Sequence, residues 1–232
     1  MVAHVIDILS ESGFFAVALT VAAFCIGAAC QSKWKKAVLN PILIGAALVM
    51  LTLWLLDIPV EKYQRDCQAL TFLTTPATIC LAIAFYEQLQ KLKKHLPAIL
   101  IGVTGGTLAS LLSVWLLSRL FGFDQVLTVS LLPKSITSAI GVVLSEQAGG
   151  VGALTTAIII ITGIFGNVTG PALSKLFRLE DPISQGVGFG TASHVIGTSR
   201  ATEISPLIGA VSSFSLTLAG LITTVIMSFL FA

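Results

Sequence analysis

The sequence predicts an all-α integral membrane protein, on three observations. Of its 232 residues, 55% are hydrophobic and only 10% are charged, against about 25% charged in a soluble domain. The mean hydropathy is +0.96. The apolar runs are long and continuous, which suits helices of about 20 residues and not the short alternating segments of an outer-membrane barrel. The length accommodates about eight hydrophobic segments, and the chain reads as a multi-pass protein of the inner (cytoplasmic) membrane.

The segments follow in order. The first runs from about Phe14 to Ala29 and the second from about Ala37 to Leu56, opening at Asn40-Pro41. The third covers about Leu70 to Tyr86 with Pro76 inside, and the fourth about Leu96 to Phe121. A fifth, Val126 to Ser145, is interrupted by Pro133, Lys134 and the hydroxyls of Ser135, Thr137 and Ser138. The sixth spans Val151 to Leu176. A seventh, Ile183 to Ile204, is rich in glycine and hydroxyls, and the eighth closes the chain from Leu207 to Phe231. Proline removes a backbone donor and glycine loosens a helix. Irregular backbone at membrane depth survives only where protein or water surrounds it. The fifth and seventh segments are therefore expected to be discontinuous or re-entrant helices. Residues 1–67 read as N-terminal scaffold helices and residues 68–232 as the core that holds the chemistry.

Charge placement sets orientation. Lys33, Lys35 and Lys36 mark one cytoplasmic loop, Lys91, Lys93 and Lys94 another, and Lys175 with Arg178 a third. The net charge of +2 gives no case for nucleic acid. The cysteines Cys25, Cys30, Cys67 and Cys80 lack metal or redox spacing and read as packing residues. The amino terminus, with Asp7 and Glu11, is acidic and does not read as a cleavable signal. No metal cluster, phosphate loop or nucleophile motif is visible, so neither an enzyme nor a cofactor is expected.

The stretch from Gly190 to Glu203 sets His194, Arg200 and Glu203 among hydroxyls inside an apolar chain. Charge at membrane depth is expensive and persists mainly where it faces a protein interior or a wet cavity. Lys134 is either a cation facing such a cavity or a lysine snorkelling to the interface. Ser135, Thr137, Ser138, Thr191, Ser193 and Thr198 either meet a ligand near half-helix amino ends or cap broken helices. His194 titrates near neutrality and is a candidate proton relay, as are Glu146 and Glu203; a satisfied interior histidine is the competing reading. Arg200 either meets a carboxylate or pairs with Glu203, three residues on along the same helix face.

A shift of 57 residues brings Glu146 onto Glu203, Gly152 onto Gly209, Thr155 and Thr156 onto Ser212 and Ser213, and Gly163 onto Gly220. Ser118-Arg119-Leu120-Phe121 echoes Ser174-Lys175-Leu176-Phe177. Internal repeats are expected, inverted if each crosses the membrane an odd number of times. Inverted repeats with interrupted helices in matching positions point to a transporter's midplane site.

Three motifs resemble the LrgB/CidB family: Leu132-Pro133-Lys134-Ser135-Ile136-Thr137, Ile161-Thr162-Gly163-Ile164-Phe165-Gly166, and Gly190-Thr191-Ala192-Ser193-His194 continuing to Gly197-Thr198-Ser199-Arg200-Ala201. Asn40-Pro41 and Tyr86-Glu87-Gln88-Leu89 also fit, so the resemblance runs from about Asn40 to the carboxyl end. Thr137-Ser138-Ala139 and Ala84-Phe85 depart from the family pattern. The resemblance implies a carrier of small monocarboxylates such as pyruvate, glycolate or lactate, possible proton coupling included. The alternative it implies is a holin- or antiholin-like modulator of murein hydrolase export and cell lysis. It implies that Asn40, Pro133, Lys134, Ser135, Thr137, Ser193, His194, Thr198 and Arg200 line the path, to which the chemistry of the residues adds Ser138 and Thr191. A smaller LrgA/CidA-type membrane partner is implied as well, and the brevity of the chain suggests a homodimer in the bilayer.

Overall fold

A computed structural model of the chain describes residues 13–34, 41–73 and 93–231, together with Pro76, Ile79, Cys80, Ile83 and Tyr86. Among them the structure is helical, with no strand. Asn40, Lys35, Lys36, Lys91, Glu87 to Leu89 and about half of the expected third segment lie outside the described residues. Two compact units form, Met1–Cys80 and Leu81–Ala232.

The first unit contains α1 (Gly13–Trp34), α2 (Pro41–Leu55), α3 (Val60–Asp66) and α4 (Gln68–Phe72). Ala16, Thr20, Ala23 and Gly27 recur at helical spacing along α1 and make a small-residue stripe. Small residues let membrane helices approach closely. A Cβ on Gly27 would meet the backbone of Pro41 at 2.7 Å, and one on Gly45 the backbone of Phe24 at 3.5 Å. Thr20 shares a 2.7 Å hydrogen bond with the Tyr63 hydroxyl and so ties α3 to α1. The polar run Val60–Asp66, between the second and third expected segments, is a helix: Pro59 presets its extended entry and Glu61 and Arg65 suit its ends.

The second unit contains α5 (Leu96–Leu120), α6 (Gln125–Leu131), α7 (Ser138–Gln147), α8 (Gly152–Leu176), α9 (Pro182–Ile204) and α10 (Pro206–Leu230). Four helices of the described chain, α1, α5, α8 and α10, are long and apolar enough to cross a membrane. Many of their large side chains face outward, as Trp115, Phe165 and Val225 do. The interior is instead small and hydroxylated, with α9 at its centre. Gly186 lies against Val211 and the Ile208 carbonyl, and Gly190 against the Ser212 carbonyl, so α9 and α10 touch backbone to backbone. An apolar cluster of Ile99, Val103, Ile183, Val211 and Ala219 closes one side of α9.

Two corners of this unit are built alike. After α5, the Phe123 amide donates to the Ser118 carbonyl at 2.9 Å, with Gly122 left-handed at φ 68°. After α8, the Leu179 amide donates to the Ser174 carbonyl at 2.8 Å, with Arg178 left-handed at φ 54°. Both are Schellman ends. Each is followed at once by an aspartate cap: Asp124 accepts from the Leu127 amide at 2.7 Å and Asp181 from the Ser184 amide at 2.8 Å. Asp181 is exposed, and its carboxyl is held below the usual carboxylate range chiefly by the Ser184 amide. Partial burial opposes this, while the Ser184 hydroxyl, the Ile183 amide and the charge of His95 assist.

Candidate functional site

The backbone breaks twice in the second unit. The first break lies between α6 and α7, over residues 132–137. Pro133 has no amide to donate, and the chain turns through bonds from the Lys134 amide to the Leu131 carbonyl and from the Ile136 amide to the Pro133 carbonyl, each 3.2 Å. Thr137 then opens α7 in extended conformation without a side-chain cap. The second break is a single residue inside α9: His194 stands at φ 42°, ψ −139°. A non-glycine residue there is strained by about 1–3 kcal/mol and persists only when its surroundings hold it.

At the first break Lys134 is half-buried, and its Nζ donates to Ser135 Oγ at 3.0 Å and to Ser110 Oγ of α5 at 3.3 Å. The two hydroxyls are 3.1 Å apart. No carboxylate pairs with Lys134 among the described residues. Ser110 and Ser135 also line a small cavity with Thr107, Thr191 and Thr223, hydroxyls from α5, α9 and α10. It leaves about 10 Å³ to the centre of a water molecule, room for one. Thr107 Oγ1 is buried there with no hydrogen-bond partner among the described residues. Thr191 donates to the Val187 carbonyl. Residues from both broken segments, Ser135 and Thr191, thus face one hollow. Ser138, one residue past the Thr137 cap, is exposed.

The second break is packed shut. The imidazole of His194 is buried, and its Nε2 donates to the Ile159 carbonyl of α8 at 2.9 Å, which puts the ring proton on Nε2. A Cβ on Gly163 would meet the ring at 2.6 Å, and Gly166 lies against Ser193. Thr198 donates to the His194 carbonyl and shares a bond with Ser212, both 2.8 Å. Asn167 Nδ2 donates to the Ile196 carbonyl, just past the break, at 2.8 Å. Ser193, His194 and Thr198 therefore do not line the cavity. The two breaks meet through α8: a Cβ on Gly141, just past the first break, would touch Ile159 at 2.8 Å and Pro133 at 3.4 Å.

The remaining sequence-derived residues lie elsewhere. Arg200 Nη1 pairs with Glu203 at 2.6 Å, the two side chains 34% and 57% exposed, so the structural alternative is the observed one for Arg200. Glu146 is exposed at the end of α7 against Gly152. Pro133 is fully buried. Thr107, Ser110, Thr223 and Asn167 were invisible to motif reading. The available signal was spacing: Thr107 and Leu111 fall on the stripe Val103, Thr107, Leu111, Val114, Ser118 that α5 buries, with Ser110 at its edge.

The chain was compared with known proteins. A model described as the LrgB-like family matches residues 20–232. The protein YwbG of Bacillus subtilis is 32% identical over 91% of this chain and 94% of its own length. The holin-like protein CidB of Staphylococcus aureus strain Mu50 is 31% identical over 90% of this chain and 92% of its own. The holin-like protein CidB of Staphylococcus epidermidis strain ATCC 12228 is 30% identical over the same shares, 90% and 92%. No solved structure matches.

Proposed function

The chain belongs to the LrgB-like family, and we propose that its second unit binds small monocarboxylates, of the size of pyruvate, glycolate or lactate, and carries them across the membrane. The observation behind this reading is Lys134, a cation at a backbone break whose hydrogen-bond partners among the described residues are the hydroxyls of Ser110 and Ser135. A cation in a unit of membrane-length helices is costly without a counter-charge. A carboxylate supplies one, and the uncapped amino end of α7 adds its partial positive charge beside it. Pro133 holds the break open, and Thr137 and Ser138 start the half-helix.

In this reading α5–α7 and α8–α9 are two copies of one unit, inverted in the membrane. The matched corners after Ser118 and Ser174 and the matched caps Asp124 and Asp181 support it. His194, at the second break, is the proposed proton-coupling residue, and Glu146 and Glu203 are exposed alternatives. The same proposal has the protein work in the inner membrane as a homodimer, beside a smaller membrane partner.

The names of the relatives favour a second reading, and on the comparisons alone it is the better supported. The CidB proteins are called holin-like, and by that likeness this chain would modulate membrane permeability and lysis. One reconstitution separates the two. Proteoliposomes with a trapped dye and labelled external pyruvate are assayed for the full chain and for Lys134→Met. A carrier gives saturable uptake, reduced at least tenfold by the substitution, and keeps the dye. Dye loss that rises with protein density, without saturable uptake and insensitive to the substitution, establishes the holin-like reading and removes the carrier.

A further inference from the structure

Thr107 is 4% exposed, and its Oγ1 has no hydrogen-bond partner among the described residues. A buried hydroxyl left unmade is destabilising, and such groups call for a ligand, a water or a catalytic use. Ser215 Oγ is also unpartnered, but Ser215 lies against Gly190 and not on the cavity. Thr107 does line the cavity, on the same helix as Ser110 and one turn before it. Residues three apart on a helix are neighbours, about 5–6 Å between Cβ atoms.

The hydrogens of this cluster outnumber its acceptors. Lys134 has three, and two go to Ser110 and Ser135. Those two hydroxyls share one hydrogen at 3.1 Å, so one of them keeps a hydrogen unplaced. Thr107 holds another. Thr191 is engaged with the Val187 carbonyl. The surplus falls into two groups, a charged one at Lys134 and its serines and a neutral one at Thr107. A charged group matches a carboxylate, and a neutral hydroxyl matches an uncharged oxygen beside it.

We infer that Thr107 is the specificity-determining residue of the cavity, its hydroxyl binding the oxygen on the second carbon of a short 2-oxo or 2-hydroxy acid whose carboxylate faces Lys134. This rests on the carrier reading of Lys134. The cavity admits one water in this conformation, so the ligand is short and the surrounding helices part to take it. Sequence reading had assigned this wall to Thr191. Thr191 is bonded to the Val187 carbonyl, and of the cavity's hydroxyls Thr107 is the one whose oxygen is fully buried without a partner among the described residues.

The test uses the purified full chain in detergent. Affinities for pyruvate, lactate and propionate are read from the concentration dependence of the unfolding midpoint. The wild type is expected to favour pyruvate and lactate over propionate by about tenfold, the worth of one net hydrogen bond of about 1.4 kcal/mol. Thr107→Val is isosteric and removes an unpaired hydroxyl, so the fold tolerates it. It is expected to weaken pyruvate and lactate about tenfold and leave propionate unchanged, and Thr107→Ser restores the preference. Equal effects of Thr107→Val on all three acids, or none on any, overturn the role of Thr107 while the carrier reading stands. If none of the acids shifts the wild type, the carrier reading falls and the inference falls with it.

Discussion

The two breaks of the second unit use the same device to opposite ends. At residues 132–137 the chain parts around Lys134 and leaves a hydroxyl-lined hollow with hydrogens to spare. At His194 it parts and is refilled: the imidazole lies on Gly163, Ser193 on Gly166, and Asn167 bonds the Ile196 carbonyl. His194 Nε2, Thr198 Oγ1 and Asn167 Nδ2 each find a partner there within the fold. An interrupted membrane helix is therefore not itself a binding site. It is a candidate for one where donors exceed acceptors and space remains, and glycines on the facing helix separate the two outcomes. On α5 the facing positions are Thr107 and Ser110; on α8 they are Gly163 and Gly166.

The comparison can be broken most forcefully at the glycines. Gly163→Ala places a methyl group in the imidazole's space. It should destabilise the protein by about 1–3 kcal/mol, read as a lower thermal midpoint in detergent. An unchanged midpoint would mean that the second break is not packed as described.

Lys134→Met tests the first break. It should weaken carboxylate binding by about 10- to 100-fold, the range of a charge-assisted hydrogen bond, and leave stability equal or higher because a half-buried cation is removed. Loss of stability with affinity intact would make Lys134 structural.

His194→Leu sharpens the contrast. Losing the bond to Ile159 should lower stability by about 1 kcal/mol while pyruvate affinity at fixed pH stays within about twofold, since the ring does not line the cavity. If His194 couples protons, the same variant also loses uptake driven by a pH gradient.

The smallest effect concerns the corner that precedes the second break. Asp181→Ala should cost about 1 kcal/mol at pH 7. The folded carboxyl sits below its unfolded value, so the cap contributes fully above about pH 4 and fades as the pH falls through the folded value. The wild-type and variant midpoints should thus converge in acid, while Asp181→Asn keeps the cap and shows no such convergence.

Composition alone settled that the chain is helical and that its helices are long and apolar. Four expected segments match helices within a few residues: Leu96–Leu120, Gly152–Leu176, Pro182–Ile204 and Pro206–Leu230. Their length and hydrophobicity are local properties, set by bilayer thickness and helix rise. Proline and clustered hydroxyls likewise marked residues 132–137, because a missing amide is written in the residue type. Which hydroxyls meet was decided by tertiary structure. Lys134, Ser110, Thr107 and Thr191 come from three stretches of chain, and only the close approach that glycine permits between α9 and its neighbours brings their walls together. The motif around His194 reads as chemically richer than that around Lys134, yet its imidazole and the Thr198 hydroxyl are bonded within the fold. Satisfaction of a buried polar group depends on what lies across the helix interface, and that information is absent from any single segment.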